Sequence, residues 1–231
     1  MNKLLFTLLS IATALPISAF AEAGDWVVRA RIAHISPNEN SELGKTVNAN
    51  IAPVMNPDAK LDVKSNTIPE LDISYYITKN IAAELILALG TRHNVSITGD
   101  AGNPIGNQEL GGVNLLPPTL TAQWHFNPDQ MIDPYIGAGI NYTFKLDRYA
   151  RGTQGAIAGE EIKIGKQSFG YALQAGVDVN LKDGWLINAD VKYVNIETDV
   201  RLRSAITGAW TKVDSLDINP WVVGIGIGKK F

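Results

Sequence analysis

Charged residues recur where strand alternation would turn them to one face. Arg29, Arg31, Arg92 and Lys192 carry positive charge there; Asp72, Glu84, Asp178 and Asp190 carry negative charge. Charge taken out of water must be paired, so this set is suited to a buried ion-pair network. A second chemistry would need His34-Ile35-Ser36, whose His and Ser side chains share a strand face. Such a pair could activate a hydroxyl for attack on a lipid ester. No partner carboxylate for His34 is evident, and the remaining histidines are His93 and His125. The reading is therefore not an enzyme. The absence of Cys removes thiolate metal sites and Cys nucleophiles. No nucleotide-binding loop or metal-ligand cluster is found, so no cofactor and no metal are implied. Asn94-Val95-Ser96 and Asn141-Tyr142-Thr143 match the glycosylation pattern by chance.

Those charges need elements to hold them. Met1 to Lys3 carry one positive charge, Leu4 to Leu15 are apolar, and Ala19-Phe20-Ala21 has small-x-small spacing. This is the layout of a signal peptide over residues 1–21, cleaved after Ala21. Residues 22–231 then form one domain. No later run approaches the roughly 20 apolar residues of a membrane helix, which leaves a soluble protein or a barrel. A net charge of −3 argues against nucleic acid as a partner. Twenty-one glycines suit a β protein.

Alternation supplies the strands. Phe169, Tyr171, Leu173, Ala175, Val177 and Val179 share one face; Gln174, Asp178 and Asn180 share the other. The turn Lys182-Asp183-Gly184 leads to a second such segment from Trp185 to Tyr193. Equivalent segments begin near Trp26, Leu71, Ile81, Leu120, Ile136 and Trp221, giving eight strands. The segment from Ile81 carries its apolar face to Leu89 and its polar face to Arg92. Connections alternate: short near 78–80, 127–133 and 182–184, long near 36–67, 95–116, 145–167 and 198–212. The expected fold is all-β: an eight-stranded antiparallel transmembrane β-barrel with short periplasmic turns and long extracellular loops.

In a barrel this narrow the polar face fills the bore, and the charge set becomes an interior plug. Trp26, Trp124, Phe126, Tyr135, Trp185 and Phe231 are expected at the periplasmic boundary, and Tyr142, Phe144 and Phe169 at the outer one, as aromatic girdles. The terminal Phe231, after Ile225 and Ile227 on the same face, resembles the signal read by the barrel-assembly machinery; Lys229 departs from the usual apolar residue. Pro220 lies inside the last strand and is expected to mark a bulge.

Several segments then resemble the OmpW/AlkL family of outer-membrane proteins. They are Gly24-Asp25-Trp26-Val27-Val28-Arg29-Ala30-Arg31, Pro69-Glu70-Leu71-Asp72-Ile73-Ser74-Tyr75, Asn80-Ile81-Ala82-Ala83-Glu84-Leu85, Leu116-Pro117-Pro118-Thr119-Leu120, Pro134-Tyr135-Ile136-Gly137-Ala138-Gly139-Ile140-Asn141-Tyr142 and Asn219-Pro220-Trp221-Val222-Val223-Gly224-Ile225-Gly226. The resemblance implies a multi-pass location in the Gram-negative outer membrane, contact with its lipid, and uptake of small hydrophobic solutes through an apolar interior path. It also implies bacteriocins as partners of some members.

The residues suit such a path. Inward parity at the outer strand ends falls on Ile35, Ile68, Val194, Ile196, Leu216 and Ile218, and the loops add Val47, Ile51, Val54, Met55, Leu61, Ile105, Leu110, Val113 and Leu115. These would make an apolar funnel above the charged plug; a lid core without a ligand is the alternative. Pro117-Pro118 cannot donate to a ladder, so pairing should fail there and leave a lateral exit into the membrane. The competing roles are a structural or receptor barrel acting through its loops and, behind it, a lipid-modifying barrel.

Overall fold

The computed structural model describes residues 22–88, 90–204 and 207–231. The expected signal peptide, its expected cleavage site and Leu89 lie outside the described residues. In chain order the elements are β1 (Trp26–Ser36), α1 (Leu43–Asn50), β2 (Lys60–Val63), β3 (Asn66–Tyr76), β4 (Ile81–Ala88), β5 (Thr91–Thr98), β6 (Gln108–Leu116), β7 (Thr119–His125) and β8 (Ile132–Lys145). There follow β9 (Tyr149–Arg151), β10 (Glu161–Ile164), β11 (Gln167–Asn180), β12 (Trp185–Val194), β13 (Glu197–Arg203), β14 (Trp210–Asp217) and β15 (Trp221–Lys230).

Eight of these close into an antiparallel barrel in the order β1-β3-β4-β7-β8-β11-β12-β15 and back to β1. Closure gives each barrel strand two paired neighbours and leaves no free sheet edge, which a bilayer requires. Alternation decides the faces. On β1, Val27, Arg29, Arg31 and Ala33 are buried while Trp26, Ala30 and Ile32 are exposed. Ile32, Leu120, Ile136, Ile140, Leu173 and Ile225, all at least half exposed, belong to the apolar belt that meets lipid.

The long connections are ordered. β5, β6 and β2 extend the β4 and β7 side of the barrel, and β9, β10, β13 and β14 form a separate four-stranded sheet. Leu43, Val47, Met55, Leu61, Ile105 and Leu110 pack between the two into an apolar cap core. Ile51 does not join it; it follows the last turn of α1 and is 48% exposed.

Three further expectations are corrected. Tyr135 is not a girdle residue: it faces the bore, buried, stacked on His125 at 4.9 Å. Pro220 marks no bulge, because β15 starts at Trp221 and keeps unbroken register with β1 and β12. Arg92 is not in the plug. Gly90, at φ +72, reverses the alternation between β4 and β5, so Thr91 and His93 turn inward while the Arg92 side chain is 58% exposed.

Bore glycines make room for large side chains. A Cβ on Gly176 would overlap the Tyr135 ring. Replacing Gly176 with Val should cost about 1–3 kcal/mol, the usual range for overpacking, measured by urea unfolding in lipid vesicles. Wild-type stability in that variant would contradict the packing described.

Candidate functional site

Two layers fill the interior. The lower layer is an ion-pair network at mid-barrel. Arg29 donates to Asp178 (2.5 Å), Ser74 (2.6 Å) and Glu84 (3.3 Å). Arg31 donates to Asp72 (2.5 Å) and Glu84 (2.8 Å), and pairs with Asp190. Lys192 bridges Glu70 (2.7 Å) and Asp190 (2.8 Å). Seven of the eight expected charges thus meet, and only Arg92 is missing.

Glu70 takes a place that sequence reasoning left empty. It has the same strand parity as Asp72, which was the available signal. Five carboxylates therefore face three cations, and the balance is not one to one. Neutral donors meet much of the excess. Gln123 donates to Glu84 (2.7 Å), Gln174 to Glu84 (3.0 Å) and Asp190 (2.9 Å), and Asn188 to Asp178 (2.6 Å). Below them, His125 bonds Asp133 at 2.7 Å and lies between the rings of Tyr76 and Tyr135, 5.0 and 4.9 Å away.

The upper layer is a largely apolar cavity. Ile35, Ile68, Val194, Ile196, Leu216 and Ile218 all line it, together with Ile86, Ala88 and Val222. Glu70 and Lys192 also belong to its wall, so the cavity ends on the network. Leu61, Leu110, Val113 and Leu115 carry the apolar wall into the cap. A second, smaller apolar space shares Leu61, Leu110, Ile162 and Val200 with the first. His93 is one of few polar groups in the upper wall. Burial lowers its pKa, although a bond to the Lys64 carbonyl (2.9 Å) opposes this, so the ring is neutral near pH 7.

The wall has two strand junctions, and they differ. Between β14 and β15, Asn219 has φ +38 and its Oδ1 accepts from Ile196 N (3.1 Å), while Val194 N bonds the Pro220 carbonyl (3.1 Å). Between β6 and β7, Pro117 and Pro118 are held on the β8 side, where Tyr142 N donates to the Pro118 carbonyl at 3.1 Å. On the β4 side the ladder stops at Ile86 opposite Thr119 and resumes as β5–β6 at Thr91 opposite Leu115. Among the described residues, no hydrogen bond joins Leu87, Ala88 or Gly90 to either proline. Pro117 lines the cavity, whereas Pro118 is not among its lining residues. His34 points outward and bonds Thr67 Oγ1 at 2.9 Å, away from this cavity.

The OmpW family model matches residues 22–231. The chain belongs to the OmpW family. It is 36% identical over 225 residues to outer membrane protein W of Vibrio cholerae, covering 96% of this chain and 95% of that one. It is 26% identical to outer membrane protein AlkL of Ectopseudomonas oleovorans, covering 93% and 85%. The crystal structure of OprG from Pseudomonas aeruginosa superposes with a TM-score of 0.76 at 27% identity, covering 92% of this chain and 98% of that one. This OmpW-family barrel is an outer-membrane protein in contact with lipid, and its long-loop end, with the cap, is the extracellular end.

Arg31 pairs with four carboxylates, Glu70, Asp72, Glu84 and Asp190, so its loss leaves several buried charges uncompensated. Arg31→Met should destabilise the barrel by about 3–5 kcal/mol, read as a lowered urea midpoint in vesicles. A change below about 1 kcal/mol would mean that the network does not hold the bore together.

Proposed function

We propose that this barrel is a passive channel for small hydrophobic molecules, with a lateral exit into the membrane. The carrying observation is an apolar cavity seated directly on a charged, hydrogen-bonded network. A solute burying about 200 Å² of apolar surface in that cavity gains about 5 kcal/mol at ~25 cal/mol per Å². Going further down the axis would require opening buried ion pairs, at several kcal/mol for each pair broken. Going sideways between β4 and β7, past Pro117 and Pro118, moves it from one apolar phase to another at little cost. The plug therefore turns the solute rather than admitting it. No energy source is needed, because partition into lipid drives the last step. Family membership supports the reading through the uptake role that the resemblance implies.

Export and insertion fit the same reading: residues 1–21 act as a cleaved signal, and Phe231 serves the assembly machinery. Phe231 also closes the barrel end, exchanging backbone hydrogen bonds with Trp26 at 2.8 and 3.1 Å.

The test is uptake of a medium-chain alkane by cells with and without the protein. Uptake should depend on expression and persist in Ser36→Ala. It should fall several-fold when Pro117 and Pro118 are both replaced by Thr, which restores ladder donors. Unchanged uptake in that variant would remove the lateral exit. No uptake from a correctly inserted wild-type barrel would move the function to the loops, as a receptor or structural barrel. Loss of uptake on Ser36→Ala, with hydrolysis of lipid by the wild type, would restore the enzyme reading.

A further inference from the structure

The four-stranded sheet of the cap has a face the channel does not use. Its inner residues Ala150, Ile162, Ile164 and Val200 line the cavity. On the opposite face Lys163, Arg201 and Lys212 stand in one row, directly paired across β10, β13 and β14. Like charges placed opposite each other destabilise a sheet, so a row of three calls for anions. Arg151 and Arg203 lie on the same face in the adjoining row, making five cations.

Two carboxylates answer them. Asp199 bonds Lys212 at 2.5 Å and Arg201 at 3.4 Å; Glu161 bonds Arg203 at 3.0 Å and Arg151 at 3.5 Å. Lys163 has the Trp210 ring at 5.3 Å. Arg151, Arg201, Arg203 and Lys212 are each close to half exposed or more. The acidic pair Glu197 and Asp217 sits lower on the sheet, toward the barrel, so charge is segregated by height. A chain of net charge −3 thus gathers a cationic, aromatic-edged patch on one outward face.

Position selects the anion. Exposed Phe144 and Phe169 mark the outer end of the lipid belt, with Phe144 opposite Gln167. Lys163 is separated from Gln167 by no more than about 13 Å of extended chain at ~3.3 Å per residue. The row therefore stands just above the acyl region, where the phosphates of the outer-leaflet glycolipid lie. Guanidinium groups match phosphate oxygens in charge and geometry, and a half-buried tryptophan with one polar edge, here Trp210, suits the headgroup level. We infer that this face binds the phosphate groups of lipopolysaccharide molecules surrounding the barrel, independently of whether the channel carries solute.

The test is binding of purified, detergent-solubilised full-length protein to lipopolysaccharide, with and without its phosphate groups. EDTA is present so that divalent bridging at Glu197 and Asp217 is not read as direct contact. The triple variant Lys163→Ala/Arg201→Ala/Lys212→Ala should weaken binding of the phosphorylated form at least tenfold while keeping the heat-modifiable mobility of a folded barrel. The dephosphorylated form should bind wild type as weakly as the phosphorylated form binds the variant. A control variant, Lys45→Ala/Lys60→Ala/Lys64→Ala on the other half of the cap, should bind as wild type. Equal binding by the first triple variant and wild type, equal binding of both glycolipids, or equal loss in the control would each overturn the assignment. Binding of inorganic phosphate by the same row without binding of lipopolysaccharide would overturn the lipid as its source.

Discussion

The bore network is the constraint from which the other features follow. An eight-stranded barrel has to fill its interior with side chains, and here Arg29 and Arg31 lie at the centre of that filling. Each reaches across to other strands: Arg29 to β3, β4 and β11, Arg31 to β3, β4 and β12. Because the partners come from two separate hairpins, β3–β4 and β11–β12, the network is complete only once the sheet has closed. It works as a cross-brace and, in the proposed channel, as a stopper. Amide donors from Gln123, Gln174 and Asn188 support the cations by meeting oxygens of Glu84 and Asp178, while Asp72 Oδ1 and Asp190 Oδ1 have no hydrogen-bond partner among the described residues.

Above that brace the interior becomes apolar, and the strands carry on beyond the membrane as a cap. The cap is where architecture turns into function. Both of its sheets aim their apolar faces inward, which gives the cavity the apolar wall that the proposed channel assigns to its solute. One strand junction is stitched by Asn219, and among the described residues the other is interrupted at two prolines. That asymmetry gives the cavity a side, and the direction of the proposed exit depends on it. The outer surface of the cap is free to answer a different environment, the charged headgroups around the barrel.

Strand number, faces, closure and the short-turn/long-loop asymmetry were legible because a lipid-exposed strand cannot avoid period-two alternation. The apolar funnel residues followed from the same parity. Parity failed where the backbone broke it: Gly90 flips the phase, and Arg92 was carried into the bore by counting through it. Tyr135 was assigned to the girdle by its place near a strand end, although its parity pointed inward. Glu70 went unnoticed despite its correct phase. The cap was hidden for another reason. Its strands β2, β9 and β10 are three or four residues long, too short for a periodic signal. Pairings such as β2 with β5 and β10 with β13 join segments distant in sequence.

The most direct measurement of the account is the position of a bound solute. Crystals soaked with a medium-chain bromoalkane should show anomalous bromine density between Ile35, Ile68, Ile196 and Leu216, above Glu70 and Lys192. Bromine below the network, among His125, Tyr76 and Tyr135, would contradict a plug that turns the solute aside. An empty cavity at saturating alkane would contradict the channel itself.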